Sequence, residues 1–428
     1  MEIALSGEIL KFEVLSCEVP DPEQGEGERG AKSKDWSLQL ADDLSPRQSE
    51  IRERVRDFVE REIPRRVARE YDETEKYPHD LLRQLGDMGL MGATIAEEYG
   101  GMGLGVVEAM TIYEELSRRL PVLAWVVGNI MLYGNDIIST SGNRQQKERY
   151  LPELARGRMK FAFALTEPDA GSDAANISTK AVFDGGGYRI TGSKMFITGA
   201  GVSDIVVTLT RTSPSKYKGI TAFLVDARSD GYSARPLEKL GYRSSNTCAV
   251  HYDDVKVRPE CILGGEAGLN QGWSQMMKLL NRERLALSAC ALGIGQAVVD
   301  DAVAYAKERY RFGGASGRYQ AIQHALVEMA TELEAARRLA YHAAWLDARR
   351  MDCVKDISMS KYFTTETAKN LALKGIDILG RDGASLEFDM QRYLRDVLVL
   401  SIGGGTTQIQ KNIIAKSMGL SEGQIDGA

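Results

Sequence analysis

The stretch Phe163-Ala164-Leu165-Thr166-Glu167-Pro168-Asp169-Ala170-Gly171-Ser172-Asp173 lies just past Lys160, where the chain changes from helical periodicity to strand alternation. Upstream, Ser45-Pro46-Arg47-Gln48 reads as an N-cap, a proline suited to the first helical position and the glutamine of a capping box. Ile51, Val55, Phe58 and Val59 then fall on one helical face. The same period runs through Leu81, Leu82, Leu85 and Met88, then 108–119, 125–141 and 145–156. An all-helical unit over 44–159 is expected. Downstream, Ala181-Val182-Phe183, Asp184-Gly185-Gly186-Gly187 and Tyr188-Arg189-Ile190-Thr191 read as strand, tight turn, strand. Further β-branched or alternating runs cover 205–210, 220–226 and 249–257. They predict a β unit over 160–271, antiparallel because the turns are short. From Gly272 the helical period returns over 273–309, 320–351, 354–379 and 407–418, which predicts a helical bundle over 272–428.

The order α, then β, then α bundle defines an α+β multidomain chain. No strand leads into a GxGxxG that opens a helix, so a Rossmann unit is excluded. Residues 1–43, rich in Gly, Glu, Asp and Pro from Glu18 onward, read as a partly disordered appendage. They are too acidic for a transit peptide and lack the apolar core of a signal peptide.

Bulk numbers narrow the function classes. The chain has 428 residues, 43% hydrophobic and 27% charged, with a net charge of −6. That mild acidity argues against a nucleic-acid partner, and no run approaches the roughly 18 apolar residues of a membrane helix. Five scattered cysteines without a CxxC pair suggest neither zinc nor disulfides. Four histidines, none at a ligand spacing, make metal or Ser-His-Asp catalysis a poor fit. A reducing compartment follows, bacterial cytoplasm in preference to the mitochondrial matrix.

The 163–173 stretch resembles the signature of the acyl-CoA dehydrogenase family. Further landmarks follow in register: Gly192-Ser193-Lys194-Met195-Phe196-Ile197-Thr198, Lys239-Leu240-Gly241-Tyr242-Arg243-Ser244-Ser245, Arg309-Tyr310-Arg311-Phe312-Gly313, Arg395-Asp396 and Gly405-Thr406-Thr407-Gln408-Ile409-Gln410. The ordered set covers about 44–420. By this resemblance the expected cofactor is FAD, lined by Phe163, Leu165, Thr166, Gly171, Ser172, Phe196, Ile197 and Thr198. Arg309, Phe312, Gln320 and Ile322 match positions that reach the FAD of a neighbouring subunit, which implies a homo-oligomer, a tetramer on the family pattern. Thr406 and Gln408 open the last helix, whose free N–H groups suit a pyrophosphate. Asp377-Ile378-Leu379-Gly380-Arg381 stands where the family usually has Gln-Ile-Leu-Gly-Gly. An Asp377–Arg381 pair at i,i+4 would be local compensation, and altered cofactor affinity is the alternative.

Most members place a glutamate immediately before the Gly-Thr of the last helix; here that position is Gly404. Three explanations stand: a non-catalytic relative, a different reaction, or a base elsewhere. A subset that includes isovaleryl-CoA dehydrogenases carries its glutamate in Glu-Arg-Leu on a bundle helix and a small residue at the loop. This chain has Glu283-Arg284-Leu285, at the family's spacing to Arg309. The resemblance therefore implies Glu283 as base, the Gly404 backbone as donor to the thioester carbonyl, and Ser172, Asn281, Arg282, Arg284 and Gly403 around the substrate. The implied activity is FAD-dependent α,β-dehydrogenation of an acyl-CoA, with a short, branched or ring-bearing acyl group and an electron-transfer flavoprotein as acceptor. Trp125, Met131 and Tyr133 lie on the helix that, by the same resemblance, approaches the distal end of the acyl pocket. Leu237–Arg243 and the glycines before Thr406 also resemble a bacterial enoyl-CoA-type reductase, so a reductase, an oxidase, a desulfinase or a scaffold are the alternatives.

Overall fold

The computed structural model describes residues 45–311 and 314–420. The expectations for residues 1–43 and for Phe312 lie outside them. Helix α1 (Pro46–Glu62) starts at the expected capping box: the Ser45 hydroxyl accepts from the Gln48 amide at 3.3 Å, and the Gln48 side chain accepts from the Ser45 amide at 2.9 Å. Its buried face carries Ile51, Val55, Phe58 and Val59. Then come α2 (Arg65–Thr74), α3 (His79–Asp87), α4 (Val106–Ser117) and α5 (Pro121–Ile130). The expected helix over 125–141 begins earlier, at Pro121, and is interrupted. A π-turn spans Met131–Asp136 before α6 (Ile137–Ser141) and α7 (Arg144–Ala155). One residue is thereby squeezed into the ladder, and the side chains of the turn are rotated relative to an unbroken helix.

The sheet contains β1 (Phe161–Ala164), β2 (Lys180–Phe183), β3 (Tyr188–Thr198), β4 (Ile205–Arg211), β5 (Ile220–Asp226), β6 (Tyr232–Pro236) and β7 (Thr247–Val257). The expected hairpin is β2–β3, with Lys180 opposite Thr191 and Phe183 opposite Tyr188. Most neighbours are antiparallel, as short turns require. The departure is β4, which runs parallel to β1, Phe161 opposite Ile205, and meets β2 in parallel at Lys180 and Arg211. The β2–β3 hairpin intervenes between β1 and β4, so the chain returns in the direction it left. Along β3–β7 the register shifts between Lys194–Val250 and Ile197–Cys248. Two residues, Met195 and Phe196, therefore oppose one, which is a β-bulge.

The C-terminal helices are α8 (Gly272–Glu308), α9 (Gln320–Ala348), α10 (Val354–Leu379), α11 (Met390–Val397) and α12 (Thr407–Ser417). Short α11 was not expected; four of the others match the sequence periods within a few residues at their ends. Two segments, Pro121–Ser141 and Gly272–Glu308, are long and apolar enough to cross a membrane, contrary to the sequence expectation. The window is 83% buried inside the fold in each case. Their apolar faces are the shared core of the N-terminal helices and the bundle, where Met110, Leu123, Leu285 and Val298 belong to one cluster.

Candidate active site

Glu283 sits on α8 and faces the loop that precedes α12. That loop is Gly403-Gly404-Gly405, with Gly404 at φ +63° and Gly405 at φ +89°, a backbone region that favours glycine. A Cβ on Gly404 would stand 3.6 Å from Oε1 of Glu283 and 2.5 Å from Cδ1 of Leu287. The two positions that the sequence pairs are in contact in space. A side chain at 404 would displace Leu287.

The loop's carbonyls are held from beneath. The Lys361 ammonium donates to the Gly405 carbonyl at 2.8 Å, and the Gln410 amide donates to the Gly404 and Gly405 carbonyls at 3.1 and 3.0 Å. Arg284 approaches the Gly404 carbonyl at 3.5 Å and the Asn281 side-chain oxygen at 3.3 Å. Lys361 and Gln410 were missed by the sequence reading. Lys361 lies within an ordinary amphipathic helix and Gln410 within the last one, and neither spacing marks a site.

Glu283 is half-buried by surface exposure yet deep enough that burial raises its pKa. Opposing the burial are the Tyr133 hydroxyl and the charges of Arg284 and Lys361, each of which favours the carboxylate. Burial likewise pushes Lys361 down to about 8, against the pull of Glu283. Both charges are thus incompletely compensated, and the carboxylate keeps an appetite for a proton.

Arg282 turns away from this cluster. Its guanidinium pairs with the buried Asp136 carboxylate at 3.2 Å. Together they line a cavity of about 30 Å³ with Thr94, Tyr113 and Leu132. Arg282 thus carries an ion pair with Asp136 while its side chain stays partly exposed; its neighbours on α8 point elsewhere because successive helical residues are rotated by about 100°.

The 163–173 stretch forms the end of β1 and the loop beyond it. The Phe163 ring stacks on Tyr133, centroids 4.4 Å apart and planes 9° apart. The Thr166 carbonyl accepts from the Met195 amide at 2.8 Å, which ties this loop to the bulge on β3. The bulge holds Phe196 at φ +61°, the residue 68% exposed, while Ile197 turns into the β core. Only the backbone of Ile197 is left to meet a ligand. Thr198 receives the Trp125 indole N–H at 3.1 Å. Gly171 and Ser172 are exposed, with open space where a Gly171 side chain would stand.

Glu167 of the same stretch is structural. Its carboxylate accepts from the Ser178 amide and hydroxyl and from the Thr179 amide, at 2.6, 2.7 and 2.9 Å, and pairs with Lys194 at 2.9 Å. Burial alone would raise its pKa, but Lys194 and these donors outweigh it and hold it at about 2. Burial lowers Lys194 to about 8, so the pair is ionised at neutral pH.

A second group gathers at the far end of α8. Arg309 reaches Asp382 at 3.5 Å, and the exposed Arg381 reaches the same carboxylate at 3.3 Å. The expected Asp377–Arg381 pair does not form: α10 ends at Leu379 and Gly380 takes φ +61°, so Arg381 leaves the helical register. The Arg309 Nε is buried without a partner among the described residues. Gln320 is exposed and Ile322 half-buried at the start of α9. Thr406 caps α12, its hydroxyl accepting from the Ile409 amide at 3.2 Å, and Gln408 is exposed. At about 1.5 Å per residue, the length of α8 places Glu283 and Arg309 on the order of 40 Å apart.

Family models for the N-terminal, middle and C-terminal domains of acyl-CoA dehydrogenase match residues 45–158, 162–255 and 270–419. The chain belongs to the acyl-CoA dehydrogenase family. An acyl-CoA dehydrogenase of Bacillus subtilis is 39% identical over 86% of this chain and 96% of its own. A caffeyl-CoA reductase-Etf complex subunit of Acetobacterium woodii is 36% identical over 85% and 96%. The solved glutaryl-coenzyme A dehydrogenase, in complex with glutaryl-CoA, superposes with a TM-score of 0.85 at 33% identity, covering 90% of this chain and 98% of that one. The family's cofactor is FAD, and the chain is an FAD-dependent oxidoreductase of this fold. An uncovered aromatic ring on the bulge, open space beside Gly171 and a helix N-terminus at Thr407 fit a large ligand with a planar ring and an anionic tail.

Proposed function

We propose that Glu283 is the proton-transferring carboxylate of an acyl-CoA oxidoreductase. The observation that carries this is the contact between Glu283 and Gly404, the position where the more usual carboxylate of the family is missing. FAD, when bound, supplies the acceptor for the hydride from Cβ of the acyl group. The protein's part is to take the α proton. Glu283, raised by burial, is a stronger base than a solvated carboxylate. The Gly404 backbone N–H is the donor to the thioester oxygen, where charge develops as the α proton leaves. Asn281, Arg284, Gly403 and Ser172 border the thioester. Phe163, Leu165, Thr166, Gly171, Ser172, Phe196, Thr198 and the Ile197 backbone form the flavin wall of the same subunit.

Arg309, Phe312, Gln320, Ile322, Asp377, Gly380, Arg381, Thr406 and Gln408 complete the cofactor surface of an oligomer. The separation of about 40 Å between Glu283 and Arg309 supports their serving different flavins, as a homotetramer arranges. An electron-transfer flavoprotein is the electron partner, supported by the Etf-complex relative. That relative, a reductase, also favours a second reading in which Glu283 returns a proton to Cα. The acyl group is short, branched or ring-bearing, since a small residue at 404 leaves room opposite the base.

The test is anaerobic mixing of the purified yellow protein with a panel of acyl-CoAs. The wild type bleaches with a short or branched member, and Glu283→Gln binds FAD equally but does not bleach. Persistent bleaching by the variant would overturn the assignment.

A further inference from the structure

Every residue of α5 is buried except Trp125 and Asn129, which stand one turn apart on a single face of the helix. That face meets the candidate site. The Trp125 indole N–H donates to the Thr198 hydroxyl at 3.1 Å. The Asn129 amide donates to the Phe161 and Thr198 carbonyls at 3.1 and 3.4 Å, which pins the helix to the β unit. At its other end the indole reaches the glycine loop. Its Cη2 lies 3.4 Å from where a Gly403 side chain would begin. Tyr242 packs beside the ring, centroids 5.0 Å apart and planes at 40°. Tyr242 is itself buried, and its amide donates to the Asp396 carboxylate at 2.6 Å. The indole is thus held at its nitrogen, along its ring and at its far edge.

We propose that Trp125 is a specificity-determining residue: its indole walls off the space beside Gly403 and Gly404 and so limits the length of the acyl chain. This rests on the reading in which the thioester lies between Glu283 and Gly404. Gly404 adjoins Glu283, and Gly403, the residue before it, adjoins Trp125. Consecutive Cα atoms are about 3.8 Å apart, so the wall stands within a few methylenes of the reacting carbons. A loose side chain would yield to a longer chain. This one is braced by Thr198 of β3, by Tyr242 and by the glycine loop. Each further methylene must stay in water or displace a packed ring, and either is unfavourable. Gly403 belongs to the same arrangement. A side chain larger than a methyl there would compete with the indole for its volume. Short acyl groups fit beside this wall, and long straight ones do not.

The experiment compares wild type, Trp125→Phe and Trp125→Ala on butanoyl-, hexanoyl-, octanoyl- and dodecanoyl-CoA, with Glu283→Gln as the control for the base. The readouts are kcat/KM and the dissociation constant of each acyl-CoA, the latter by calorimetry with Glu283→Gln added to each protein. Melting temperature and FAD content check the fold, and Trp125→Phe keeps a ring against Tyr242 should Trp125→Ala fail to fold. The wild type favours the shortest chains. Trp125→Ala should raise the preference for octanoyl-CoA over butanoyl-CoA by about tenfold or more, with dissociation constants moving alongside. Trp125→Phe should shift it in the same direction by less. If the folded, FAD-loaded variants keep the wild-type chain-length profile, the proposal is wrong. A wild type that takes dodecanoyl-CoA as readily as butanoyl-CoA overturns it as well. Full turnover by Glu283→Gln would sink the base instead, while the chain-length profile still judges Trp125.

Discussion

Two carboxylates, the buried Glu167 and the half-buried Glu283, have opposite fates in this protein. Glu167 accepts three hydrogen bonds from Ser178 and Thr179 and pairs with Lys194 at 2.9 Å, and its pKa falls to about 2. Glu283 has the Tyr133 hydroxyl and the charges of Arg284 and Lys361 to favour its ionised form, yet burial wins and raises its pKa. A carboxylate saturated with donors is a fixed anion that braces a loop. One left short of them is available to move a proton. The same residue type serves architecture in one place and chemistry in the other, and the count of donors decides which.

The largest expected effect breaks the chemical side of this comparison. Glu283→Gln should lower kcat by roughly 10²–10⁴, the usual contribution of a positioned general base, without loss of flavin absorbance. Next is the architectural side. Glu167→Gln leaves the Lys194 ammonium buried without its counter-charge, which should cost about 3–5 kcal/mol of stability, read as a lower urea midpoint. Third, Lys361→Met removes a cation that favours the Glu283 carboxylate and a donor to the Gly405 carbonyl. The acid limb of kcat/KM should move to higher pH, with kcat down about tenfold. Gly404→Ala should destabilise by about 1–3 kcal/mol, because its Cβ meets Leu287 and its φ is left-handed. The smallest effect is a pH signature. Because the folded pKa of Glu167 is depressed, its stabilisation is fully present above its unfolded value near 4.3 and is lost as pH falls toward 2. The stability gap between wild type and Glu167→Gln should therefore stay constant from pH 5 to 7 and shrink below pH 4.

Much of the fold was legible. The capping box at Ser45 and Gln48, the β2–β3 hairpin and the long bundle helices rest on local rules of capping, turns and periodicity, which tertiary packing did not override. The parallel run of β4 was not, because parallel pairing is set by which strand intervenes, not by any turn. The π-turn at Met131–Asp136 was also invisible: its residues carry the same apolar pattern as a regular helix, and the extra residue is held by packing.

The candidate site was legible in part. Glu283 and Gly404 could be paired from the sequence, since a carboxylate missing at one motif and present at another is a pattern in the chain. The side-chain partners of Arg282 and Arg381 were not legible, for a different reason. Arg282 meets Asp136 across the fold, and Gly380 breaks the helical spacing that an Asp377–Arg381 pair needs.

The sequence by itself determined the order of helices and strands, the family and the identity of the carboxylate that faces the glycine loop. Only the tertiary structure decided what surrounds that carboxylate. Tyr133, Lys361 and Gln410 come from three separate elements, far apart in the chain. Proton affinity depends on charges and donors within a few ångströms, and no local rule of sequence reports that distance.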